Sequence, residues 1–101
     1  MNTSERRAFA AMAFINGAFH HARRGLPAHL RAALSARIAD AVRTGASSEI
    51  DIAVAALGAE GLPAEFRILG GIGMVVLAEP PAVERRRRAA DELLRSRVWM
   101  A

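Results

Sequence analysis

An all-α fold is what this sequence predicts: a compact bundle of four to five short helices around a glycine-containing apolar central helix. Three observations carry that expectation. The chain of 101 residues is 52% apolar and includes 23 alanines, the residue that favours helix most while burying little area. Apolar residues recur at helical spacing in successive stretches, each behind a capping residue or a proline. The run from Ile68 to Ala78 has no charge, amide or hydroxyl, so its expected place is under the other helices. With four Phe, one Trp and no Tyr, a strand-rich sandwich is disfavoured, and the length suits one domain spanning residues 1–101.

The first helix is expected to start behind Asn2 or Thr3, with Glu5 in the positive first turn, and to run to about Arg24. Phe9, Met12, Phe14, Ile15, Ala18 and Phe19 give it a wide apolar surface. Asn16-Gly17 is its weak point, since Asn-Gly is a common turn. Gly25 is the expected C-terminal cap, and Pro27 suits the first position of a second helix running to about Arg43. That helix is the cleanest amphipathic stretch, with Leu30, Leu34, Ile38 and Val42 on one side. Ser48, Glu49 and Asp51 open a third, shorter helix carrying Ile50, Val54 and Leu57. A last helix spans about Ala82 to Val98, after Pro80 and Pro81.

The segment between the third and last helices admits two readings. Phe66 to Leu69 and Ile72 to Leu77, separated by Gly70-Gly71, suit a hairpin, which makes α+β with a hairpin at 65–78 the alternative fold. Against it, Gly61-Leu62-Pro63-Ala64 repeats Gly25-Leu26-Pro27-Ala28, and an arginine follows each at the same spacing, Arg67 and Arg31. The repeat puts helix-start chemistry before both segments and hints at duplicated helical hairpins. Helix is therefore the expected state, with the glycines allowing close approach of the first helix.

Fourteen arginines and no lysine stand against ten acids, a formal charge of +4. Abundant Ala, Gly and Arg fit a GC-rich coding bias, but guanidinium forks also suit carboxylate or phosphate, so an acidic protein surface or a nucleic acid is the expected partner. The absence of cysteine excludes disulfides and thiolate ligands. No apolar run reaches the roughly 18 residues of a membrane span. Arg6-Arg7 ahead of an apolar stretch resembles a twin-arginine export signal, yet His20, His21, Arg23 and Arg24 follow directly without a small-residue cleavage site. A cytoplasmic protein is expected.

The sharpest polar feature is Arg85 to Arg88. On a helix these four point in four directions, and Glu84, Asp91 and Glu92 answer part of the charge at i,i+4 spacing. Arg85, Arg88 and Arg95 share one outward stripe, and together with Trp99 and Met100 they are the expected partner-binding residues. A nucleic-acid reading would use the second helix, with His29, Arg31, Ser35 and Arg37, together with Arg86 and Arg87. A helix-turn-helix over Gly58 to Gly61 fails because its second element has no side chain to read a base edge.

No metal or cofactor is expected. His20 and His21 diverge by about 100° on a helix and His29 lies beyond a turn. The serines have no nucleophile-elbow context, and no Lys-Ser or Lys-Thr follows the glycine cluster at 70, 71 and 73. The expected function is a small non-enzymatic protein-interaction module, an adaptor, regulator or inhibitor, using the arginine-rich last helix and the apolar tail. A nucleic-acid accessory protein is the alternative. Self-association through the first helix or the glycine-rich segment is a corollary of the high apolar fraction.

Overall fold

The order of elements is α1 (Thr3–His21), α2 (Ala28–Arg43), α3 (Glu49–Ala59), β1 (Ala64–Leu69), β2 (Ile72–Leu77) and α4 (Pro81–Met100). This computed structural model describes residues 2–45, 48–78 and 81–100, and side chains within α4 from 85 to 95. The chain is therefore α+β and not all-α: the apolar segment is an antiparallel hairpin, the alternative the sequence allowed.

Capping chemistry sets the helix starts. Asn2 Oδ1 accepts from the Glu5 N–H at 2.8 Å, and Ser48 Oγ accepts from the Asp51 N–H at 3.1 Å, so each satisfies one of the donors a helix leaves open. α1 runs through Asn16-Gly17 without a break. Its end differs from the expected one. Arg23, at φ +56°, takes the left-handed position, with the Arg23 N–H on the His20 carbonyl at 3.0 Å and the Arg24 N–H on the Phe19 carbonyl at 2.9 Å. Gly25, the expected cap, lies beyond the motif. At the ends of α2 and α3 the left-handed residue is Gly45 or Gly61, as the absence of a Cβ favours.

The hairpin pairs Ala64 with Leu77, Phe66 with Val75 and Leu69 with Ile72. Gly70 and Gly71 both have positive φ, +58° and +81°, which is what a two-residue turn matching the strand twist requires. That requirement explains the correction. The glycines would each cost about 1 kcal/mol in a helix, but they are the residues the turn needs, and β-branched Ile68, Ile72, Val75 and Val76 flank them. The repeated Gly-Leu-Pro-Ala leads into α2 once and into β1 once. It fixes φ at its proline both times, and the residues after it decide the outcome. Pro63 also closes the base of the hairpin, its carbonyl accepting from the Ala78 N–H at 2.8 Å.

α1 is the central element. It packs on α2, α3 and β2, while α3 touches both strands. The core consists of Ala11, Ile15, Ala18 and Phe19 of α1, Leu34 and Ile38 of α2, Ile52, Ala53, Ala56 and Leu57 of α3, and Val75 and Leu77 of β2. Arg6 and Arg7, the twin-arginine-like pair, belong to this same packed helix. The apolar segment is thus buried only at one end. Val75 and Leu77 point inward, whereas Ile68 and Ile72 near the turn are 70% and 66% exposed. The expectation of a fully covered rod is overturned with the helix.

α4 departs from the expected bundle too. None of its backbone comes within 8 Å (Cα to Cα) of another element among the described residues. The Cα radius of gyration is 17.1 Å and the longest extent 62 Å, against a radius of about 13 Å for a compact chain of this length. A 20-residue helix is about 30 Å long, so α4 projecting from the body accounts for the difference.

Candidate interaction surface

Every described side chain of α4, from Arg85 to Arg95, is exposed. At about 100° per residue, Ala89, Ala90, Leu93 and Leu94 fall on one side, and Arg85, Arg88 and Arg95 on the other with Asp91 and Glu92. Arg86 lies among the apolar residues and Arg87 at their edge. Leu93 and Leu94 are 65% and 61% exposed, although such a stripe normally faces a core. The rod therefore offers two chemistries, an aliphatic strip and a guanidinium-rich back. The side chains of Trp99 and Met100, the expected apolar anchor, lie outside the described residues.

The residues proposed for nucleic acid are not brought together. Arg31 and Arg37 are both exposed on α2 but about 120° apart around its axis. Arg37 Nε donates to Glu60 Oε1 at 3.2 Å, a bond that ties α2 to the end of α3. The exposed positions on α3 include Asp51, Ala55, Gly58 and Ala59, which neither grip phosphate nor read bases. The cleft that Arg87 lines includes none of Arg31, Arg37 and Arg86.

A cleft of about 900 Å³ opens at the root of α4, between the end of α1, one face of the hairpin and the helix itself. Its basic lining comes from three separate parts of the chain: His21, Arg23 and Arg24, then Arg67, then Arg87 and Arg88. Glu65 and Asp91 are its carboxylates, and Leu69 and Val76, on the same hairpin face as Glu65 and Arg67, supply an aliphatic floor. Arg67 Nε donates to Glu65 Oε1 at 2.7 Å, and the Arg24 guanidinium stands 5.5 Å from the centre of the Phe19 ring, a cation–π arrangement. Of these, sequence reasoning offers only Arg87 and Arg88 as binding residues. Arg23, Arg24 and Arg67 are remote from them in sequence, and only the folded hairpin brings the groups together.

The three histidines are exposed, and among the described residues no three His, Asp or Glu side chains assemble as a metal set. No described helix is long and apolar enough to cross a membrane. No family model matches this chain, and no curated protein or solved structure matches it either.

Proposed function

We propose that this chain is a non-enzymatic protein-interaction module, an adaptor, regulator or inhibitor, that docks α4 onto another protein with an acidic surface. One observation carries the reading: a projecting helix with Leu93 and Leu94 in water. Burying a leucine side chain is worth roughly 1.5–3 kcal/mol, so covering both supplies a driving force that solvent does not. Five arginines against Asp91 and Glu92 over residues 85–95 leave this stretch at +3, which favours a groove rimmed by carboxylates. Arg87, at the edge of the strip, is the residue expected on that rim. Arg85, Arg88 and Arg95 on the opposite side add to the positive field that draws the helix to it, and Trp99 and Met100 stay the expected apolar anchor. The cytoplasm is the setting of this proposal.

The experiment is affinity capture from host extract by the wild-type chain, by Leu93→Ser with Leu94→Ser, and by Arg85→Gln with Arg88→Gln. The reading expects one acidic protein, retained at about 0.5 M salt, released by the leucine variant and weakened by the arginine variant. Capture that ignores the leucine change, or a nucleic acid that elutes steeply with salt, contradicts it.

A further inference from the structure

We propose that the cleft at the root of α4 binds an extended acidic peptide segment with apolar side chains between its carboxylates. The proposal rests on the preceding reading in one respect, that the partner is an acidic protein; the cleft shares Arg87 and Arg88 with the docking helix α4 but includes neither Leu93 nor Leu94.

Charge is the first argument. Arg23, Arg24, Arg67, Arg87 and Arg88 face Glu65 and Asp91, five cations against two anions, and leave the lining at +3 with His21 neutral. Three distant parts of the sequence converge to make this potential, which attracts anions and repels cations. The floor decides what kind of anion. Leu69 and Val76 offer aliphatic surface, and among the described residues no Phe, Tyr or Trp joins the His21 imidazole in the lining as a platform on which bases could stack. A phosphate backbone has no use for such a floor. An extended peptide does, because its side chains alternate, so carboxylates reach the arginine rim while intervening apolar groups point down. The volume of about 900 Å³ lies within the range of ligand sites.

Backbone strain supplies the second argument. Arg23 holds the left-handed position at φ +56°, where α2 and α3 use glycine. An L-residue with a long side chain is disfavoured there, and glycine would cap the helix equally well. Arginine at this position makes sense as a cleft group, since strained residues concentrate where a side chain is needed for binding.

The test uses the full chain and three fluorescein-labelled probes read by anisotropy: a peptide of about ten alternating Glu and Leu residues, polyglutamate of equal length, and a single-stranded oligonucleotide of similar charge. The alternating peptide is expected to bind at least about tenfold tighter than polyglutamate, and tighter than the oligonucleotide. Arg23→Glu with Arg24→Glu should weaken it at least about tenfold, and Arg67→Gln, a mild exposed change that keeps the fold, should weaken it about threefold. Leu93→Ser with Leu94→Ser should leave peptide binding unchanged. Equal binding by the charge-reversed variant and by Arg67→Gln overturns the proposal, as does preference for the oligonucleotide or no peptide binding at all. In any of these cases, persistent leucine-dependent capture of an acidic protein leaves the docking role of α4 standing; loss of that capture with intact peptide binding does the reverse.

Discussion

Replacing Arg23 by glycine should stabilise the body while weakening the cleft, and the size of both effects can be worked from one dihedral angle. Arg23 sits at φ +56° as the left-handed residue of the α1 end motif. The left-handed conformation costs an L-residue about 1–2 kcal/mol through the approach of Cβ to the following carbonyl. Glycine removes that cost but gives the unfolded chain more freedom, worth about 0.5–1 kcal/mol. The net expectation for Arg23→Gly is a gain of about 0.5–1 kcal/mol, or about 2–8 °C in Tm for a domain of this size. Both backbone bonds of the motif, to the His20 and Phe19 carbonyls, survive the change, since neither uses the side chain. Thermal unfolding followed by circular dichroism measures the gain, and the anisotropy assay measures the loss of affinity for the alternating peptide. A lower Tm would refute the strain argument. A raised Tm with undiminished peptide affinity would refute the claim that the arginine is kept for the cleft.

Five other variants test the fold and the exposed strip. Leu34→Ala or Ile15→Ala, each fully buried, should cost about 2–5 kcal/mol in urea unfolding. Gly70→Val with Gly71→Val places β-branched residues at φ +58° and +81° and should cost at least about 2 kcal/mol, whereas a helical segment would gain from losing both glycines. Ser48→Ala removes the Oγ acceptor of the Asp51 N–H and should cost about 1 kcal/mol, read from the same urea curves. Leu93→Ser with Leu94→Ser should change the stability of the free chain by less than about 0.5 kcal/mol per site, since both side chains are already in water.

The helices are legible in the sequence because their signals are local. Asn2 and Ser48 cap as expected, and Leu34 and Ile38 are buried on the stripe that periodicity assigns them. The hairpin is visible as an alternative, and the tetrapeptide match that argues against it carries no weight, since Gly-Leu-Pro-Ala opens a helix and a strand equally well. Gly70-Gly71 is the better signal, because a glycine pair between β-branched runs answers a specific demand for positive φ. The position of α4 cannot be read at all. Ala90, Leu93 and Leu94 form the same pattern whether a helix covers its own core or stands away from it, and only the packing of α1, α2, α3 and the hairpin shows that, among the described residues, the core takes nothing from α4. The cleft is hidden for a related reason: Arg24, Arg67 and Arg88 line one cleft but are far apart in sequence. Arg23 escapes notice because glycine is the usual left-handed residue, which moves the expected cap two positions downstream to Gly25.

Small-angle X-ray scattering of the free chain, extrapolated to low concentration, reaches the claim on which the docking role of α4 depends. A monomer with a radius of gyration near 17.1 Å and a long axis near 62 Å is the expected result. A radius of about 13 Å would mean that α4 folds back and covers its own leucines, leaving no strip to offer a partner.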